Sequence, residues 1–145
     1  MHERQELAIS DFDSGFNCSQ SVVAAFCEQY GVDKATARKI ACGFGGGLRS
    51  GEVCGAVSGA VIVIGLKHGQ YIAEDQESKS NCNVNTREFI ARFKEANGSM
   101  LCREILQCDV STPEGLAQAR SKNLFKTVCF DMVRSAVSLL EESGY

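Results

Sequence analysis

No two of the eight cysteines in this chain form a C-x-x-C pair, so the local signature of thioredoxin-like redox sites, zinc ribbons and zinc knuckles is missing. Histidine is scarce. His2 lies in an end segment and His68 opens a polar stretch, so a Cys–His hydrolytic pair would rest on His68 alone. Basic residues are scattered rather than clustered, and a formal charge of −3 with a pI near 5.4 leaves no electrostatic footprint for DNA or RNA. The opening MHERQELAIS is charged and lacks the apolar core of a secretory signal, and the longest apolar run, Gly55 to Leu66, is too short to cross a bilayer. A cytoplasmic protein with no nucleic-acid and no membrane partner is the expectation. Strand-like alternation is absent too. Only Val61-Ile62-Val63-Ile64 is β-branched, and its glycine context and the length of the surrounding segment assign it to a helix.

Cysteine, by contrast, is abundant. The positions are Cys18, Cys27, Cys42, Cys54, Cys82, Cys102, Cys108 and Cys129. In a secreted miniprotein an even number would suggest a disulfide scaffold. A chain of 145 residues can bury a core without cross-links and shows no signal segment, so reactive or metal-binding thiols are the better reading. Without a C-x-x-C pair, any such site must be assembled by folding distant segments together.

The organising stretch is Gly43 to Leu66, GFGGGLRSGEVCGAVSGAVIVIGL. Cys54 stands where a glycine-rich loop gives way to an apolar helix. A thiol in a helix's first turn faces unsatisfied N–H groups and the positive end of the macrodipole, which favour thiolate over thiol. Cys54 is therefore expected to be a nucleophile of lowered pKa. Gly51, Gly55 and Gly59 recur every four residues beside Ala56 and Ala60, giving a smooth face for close packing. Interior glycines cost roughly 1 kcal/mol each in helix propensity, so close contact should offset them. That face would suit an internal neighbour or a second copy in a homo-oligomer. The loop itself fits neither G-x-x-x-x-G-K-[ST] nor a strand-preceded G-x-G-x-x-G. Arg49 within it is either solvated or placed to draw in an anionic substrate.

The rest of the chain reads as helices. Glu3 to Phe12 could open the fold, and Asn17 would cap a helix from Cys18 to Tyr30 that Gly31 stops. Cys18 then sits in a first turn, whereas Cys27 lies on the apolar side. Asp33 caps Lys34 to Cys42, with Ala37, Ile40 and Ala41 facing inward. Lys67 to Asn85 is polar and aperiodic and reads as a long connection carrying Cys82, either an incidental exposed thiol or a resolving one. REFIARFKEAN, from Arg87, is amphipathic, and Ser99 can cap Met100 to Gln107, placing Cys102 in another first turn. The only proline lies in Asp109 to Gly115, a turn or a capped helix start. A long final helix from Leu116 or Asn123 to Glu142 carries Cys129 at its middle. The fold expected is an all-α, single-domain bundle of five to seven helices around the glycine-rich central helix, covering residues 1–145.

Cys18, Cys54 and Cys102 thus share a helix-N-terminal setting. If the three ends converge they form an electropositive pocket, with Cys129 facing it as resolving partner or fourth ligand. Such a set could exchange disulfides or pass electrons, with Cys54 as nucleophile and Cys18, Cys102 or Cys129 as partner. Four thiolates would equally suit zinc or an iron–sulfur cluster. An inert packing role for the cysteines is the third reading. The redox partner, whether a protein or a small molecule, is not legible.

Phe16-Asn17-Cys18-Ser19-Gln20-Ser21-Val22, the block Gly43-Phe44-Gly45-Gly46-Gly47 leading to Gly51-Glu52-Val53-Cys54-Gly55-Ala56-Val57-Ser58-Gly59-Ala60, then Cys102-Arg103-Glu104-Ile105-Leu106 and Val128-Cys129 together resemble the C_GCAxxG_C_C family, described as redox-active. The resemblance covers residues 16–142 and implies that Cys18, Cys54, Cys102 and Cys129 are the family's cysteines. Cys108 falls outside that set.

Overall fold

Two helices poor in large polar side chains form the centre of the molecule. In the computed structural model, which describes residues 3–145, these are α2 (Cys18–Phe26) and α4 (Gly55–His68). The expectation for His2 lies outside the described residues. Asn17 caps α2 as its sequence predicts. Its side chain accepts the Gln20 N–H at 3.0 Å while the Gln20 side chain accepts the Asn17 N–H at 2.9 Å, a reciprocal capping box. A turn of 3₁₀ helix, Cys27–Tyr30, carries the chain on to Gly31.

The glycine stripe of α4 lies directly on α2. A Cβ at Gly59 would stand 2.8 Å from the Ser19 carbonyl oxygen and 3.1 Å from Val22 Cβ, and one at Gly55 would run into Cys18 Sγ. The smooth face is therefore used inside the chain. Gly59→Ala is expected to destabilise the protein by about 1–3 kcal/mol despite the better helix propensity of alanine, because the obstruction is backbone that cannot rotate away. Urea denaturation of the two proteins measures this, and an unchanged or raised stability would show that the two helices have room to separate.

Around this pair, α1 (Glu3–Ser14) covers α2 and α8 (Val128–Glu142), while α5 (Gln76–Asn97) flanks α4 and α8. Phe26, Val57, Ile64, Phe93, Val137 and Leu140 interlock as the main core, all essentially without exposure. Each such side chain contributes on the order of 1.5–3 kcal/mol through removal from water. A smaller cluster of Val23, Cys27, Ala37 and Ala41 joins α2 to α3 (Lys34–Ala41), which Asp33 caps by accepting the Thr36 N–H. Ile40, expected to face inward, is 53% exposed because Ala37 and Ala41 already fill that seam. No strand occurs among the described residues, and none of their helices is long and apolar enough to cross a membrane.

The all-α, single-domain reading stands, with α4 as the glycine-rich centre. Eight α-helices form among the described residues rather than five to seven, and two segments differ from expectation, the second of which adds a helix. The supposed connection Lys67 to Asn85 is helical from Gln76, where Asp75 caps by accepting the Ser78 N–H. The end of the chain divides into α7 (Pro113–Ser121) and α8, because Asn123 takes a left-handed conformation with φ +56° and a 3₁₀ turn, Leu124–Lys126, follows. Cys129 consequently lies in the first turn of α8 and not at the middle of a long helix. The short α6 (Cys102–Leu106) lies between α5 and α7. Ser99 precedes it, its hydroxyl accepting the Leu101 N–H and donating to Glu104.

Candidate functional site

A single antiparallel bridge, Val53 opposite Leu101, draws together two segments almost fifty residues apart. The Cys54 N–H donates to Met100 O at 2.7 Å and the Cys102 N–H donates to Glu52 O at 2.6 Å, so the two cysteine backbones are tied to the same short ladder. Arg103 reinforces it, pairing with Glu52 at 2.8 Å and donating to Gly51 O at 3.2 Å. Cys54 is the N-cap residue of α4, and Cys102 is the first residue of α6.

Cys18 is the first residue of α2 and reaches the same place from the opposite side. Its sulfur lies where a side chain on Gly55 would have to go. Cys129 approaches from the first turn of α8. All four thiols line one cavity of about 250 Å³. Phe12, Ile105, Leu106, Val110, Phe125 and Met132 make up much of its apolar wall, and Asn17, Arg49 and Arg120 bring polar atoms to it. Four helix starts therefore converge, one more than the sequence pattern predicts. All eight cysteines are free, Cys54 and Cys102 buried and Cys18 and Cys129 half-buried.

The electrostatics depart from expectation. Convergent helix starts were expected to favour thiolates, yet burial among apolar side chains pushes every cavity thiol above its ordinary value. For Cys54, burial dominates, the neighbouring Cys18 adds to it, and the N–H groups of Ala56 and Val57 oppose it without prevailing. Burial and then Cys18 likewise raise Cys129 strongly, and Cys102 is pushed up to about 11 by burial, with Cys18, Cys108 and Asp109 contributing. Cys18 is raised too, again by burial. It alone of the four has both backbone N–H groups, those of Gly46 and Ser19, and a cation, Arg49, acting to hold a negative sulfur. It is also the charge that weighs most on each of the other three. The pocket therefore holds neutral thiols at neutral pH, with Cys18 in the setting most favourable to ionisation.

The remaining cysteines divide by environment. Cys27 packs in the smaller core cluster, its thiol directed at Ala24 O. Cys42 is exposed at the C-terminal boundary of α3. Cys82, expected on a loop, sits within α5 against the main core and does not line the cavity. Cys108, half-buried beyond α6, lies within electrostatic reach of Cys102 and Cys129. His68 is elsewhere, edge-on to Tyr145 and hydrogen-bonded to Asn81. Among the described residues no three or more His, Cys, Asp or Glu side chains are grouped to hold a metal ion. The tetrahedral arrangement that a single zinc ion needs is not formed by these thiols as they stand.

Four thiols brought to one partly open, largely apolar cavity by four helix starts define a helical thiol-cluster protein. The family model described as "Putative redox-active protein (C_GCAxxG_C_C)" matches residues 16–143. The chain belongs to that family. No curated protein and no solved structure matches it at a significant level.

Proposed function

We propose that this protein is a thiol–disulfide redox protein in which Cys18, Cys54, Cys102 and Cys129 act as one set. The observation that carries this reading is their convergence on a single cavity from four separate parts of the chain. Cys18 is the attacking thiol, because the N–H groups of Gly46 and Ser19 and the charge of Arg49 support its thiolate. Cys54 is taken as its resolving partner, because the residue beside it, Gly55, leaves the space that Cys18 Sγ occupies. In the reaction the Cys18 thiolate attacks one sulfur of an acceptor disulfide and releases the other as a thiol. Cys54 then displaces the second, so two protein thiols become one disulfide and the acceptor gains two electrons and two protons. The acceptor is a disulfide on a partner protein or a small molecule. Thiols that resist ionisation are poor leaving groups, so the couple belongs at the reducing end of the scale, consistent with work in the cytoplasm.

The test is a thiol count on anaerobically purified protein, in denaturant, before and after exposure to a small-molecule disulfide. The expected result is loss of two thiols, restored by reductant, with peptide mapping that places Cys18 in the new disulfide. Cys18→Ser should abolish the loss and Cys42→Ser should leave it intact. Stoichiometric metal in the purified protein, with no disulfide formed, would replace this reading with ligation by the same sulfurs. Thiols that neither oxidise nor carry metal would leave the cysteines as packing residues.

A further inference from the structure

Two arginines line the thiol cavity and no carboxylate does. Arg49 comes from the glycine-rich loop and Arg120 from the end of α7, and both are exposed. Neither makes an ion pair among the described residues, whereas Arg38, Arg92, Arg103 and Arg134 each pair with a carboxylate. In a chain with a net charge of −3, two unneutralised guanidinium groups at one apolar opening mark a place where negative charge is welcome.

Arg49 is held there by an unusual backbone. Leu48 (φ 61°, ψ 36°) and Arg49 (φ 55°, ψ 19°) are both left-handed, a conformation that residues with a Cβ disfavour and that tends to persist where the surroundings use it. The turn folds the side chain back over the loop. Arg49 Nη1 comes within 3.6 Å of the point where a Cβ on Gly46 would lie, and Val110 Cγ2 is equally close to that point. The Gly46 backbone is in turn among the groups that favour a negative sulfur on Cys18. The cavity thus has a cationic rim beside Cys18 and an apolar wall, with Phe12, Leu106, Phe125 and Met132 among its members, enclosing about 250 Å³.

We propose that this cavity binds a small organic anion, its apolar body about the size of a bicyclic aromatic ring system lying among the thiols and its carboxylate meeting Arg49 and Arg120. A planar, singly charged anion matches the fork of a guanidinium better than a compact inorganic ion, and the apolar wall accounts for the rest of the molecule. What the ligand does once bound rests on the redox reading. That it binds does not.

Isothermal titration of the reduced full-length chain at low salt tests this with 2-naphthoate and its neutral counterpart 2-naphthalenemethanol. The expected result is a preference for the carboxylate of tenfold or more. Arg49→Gln combined with Arg120→Gln should erase the preference while leaving alcohol binding and the melting temperature unchanged. Bound 2-naphthoate should also slow alkylation of Cys54 and Cys129 but not of Cys42. Equal affinities, a preference that survives the double variant, or no binding of either compound would overturn the proposal. A disulfide that forms in protein unable to bind 2-naphthoate would sink this inference and leave the redox reading standing. Binding without any disulfide would do the reverse.

Discussion

Raising the pH from 8 to 11 under reducing conditions is expected to cost this protein most of its stability. The folded state holds its cavity thiols neutral: burial raises Cys54 and Cys129 strongly and Cys102 to about 11. In the unfolded chain the same thiols ionise near the ordinary cysteine value of about 8.5. Below that pH both states carry the protons and stability is flat. Above it the folded state binds more protons than the unfolded state, so the free energy of unfolding falls with pH, by about 1.4 kcal/mol per pH unit for each such thiol. Three together give a slope of about 4 kcal/mol per unit between about pH 9 and 11, against a total typical of a domain of about 5–15 kcal/mol. Tyr145, whose buried hydroxyl is pushed up to about 12, adds to the loss above pH 10 by the same reasoning. Urea titrations at half-unit steps of pH measure the slope, and Cys129→Ser should reduce it by about one thiol's share. A stability that stays level to pH 10 would mean that the cavity admits enough water to let its sulfurs ionise.

That expectation reverses what the helix-start argument predicts for the thiols, and the reason lies in what a sequence encodes locally. Asn17 and Gln20, Asp33 and Thr36, and Thr112 before Pro113 announce helix starts because each cap is completed within three residues. The glycine interval at 55 and 59 announces close packing for a similar reason, since α2 needs only the missing side chains. Desolvation depends on every element that closes over a sulfur. The Val53–Leu101 bridge, the cover given by α7 and the approach of α8 have no signature near Cys54. The first half of α5 was illegible for another reason. Its inward side carries Ser78, Cys82 and Asn85, so the helical period is kept by half-buried residues of which only the small Cys82 is apolar. Asn123 and Thr127 show the complementary limit, because the residues around them suit a helix and only the left-handed backbone of the first and the non-helical backbone of the second (φ −121°, ψ −78°) divide them. That break places Cys129 in a first turn, where it can join the other three.

Alkylation of the cavity thiols by iodoacetamide is expected to rise about a thousandfold between pH 6 and 9 without levelling, in contrast to a cysteine in a short unstructured peptide, whose rate bends near the ordinary value of about 8.5. Only the thiolate reacts, so a sulfur that is neutral throughout this range gains a factor of ten in reactive form with every unit of pH. At pH 7 a thiol raised to about 11, as Cys102 is, has about one hundredth of the thiolate of one at 9. Its thiolate is in compensation the stronger nucleophile, by about 6- to 10-fold for a Brønsted coefficient of about 0.4–0.5, so ionisation alone slows the reaction about tenfold. Limited access through the cavity mouth lowers the rate further. Within the set Cys18 should be labelled first, because Gly46, Ser19 and Arg49 support its thiolate and it is half-buried rather than closed in. Short pulses of reagent followed by peptide mapping give the order and the profile. Urea concentrations below the unfolding transition should leave the rates unchanged, which separates reaction in the folded cavity from reaction during opening. A profile that bends at pH 8.5, or Cys54 labelled before Cys18, would return the nucleophile's role to the start of α4 and show that its amide donors outweigh burial after all.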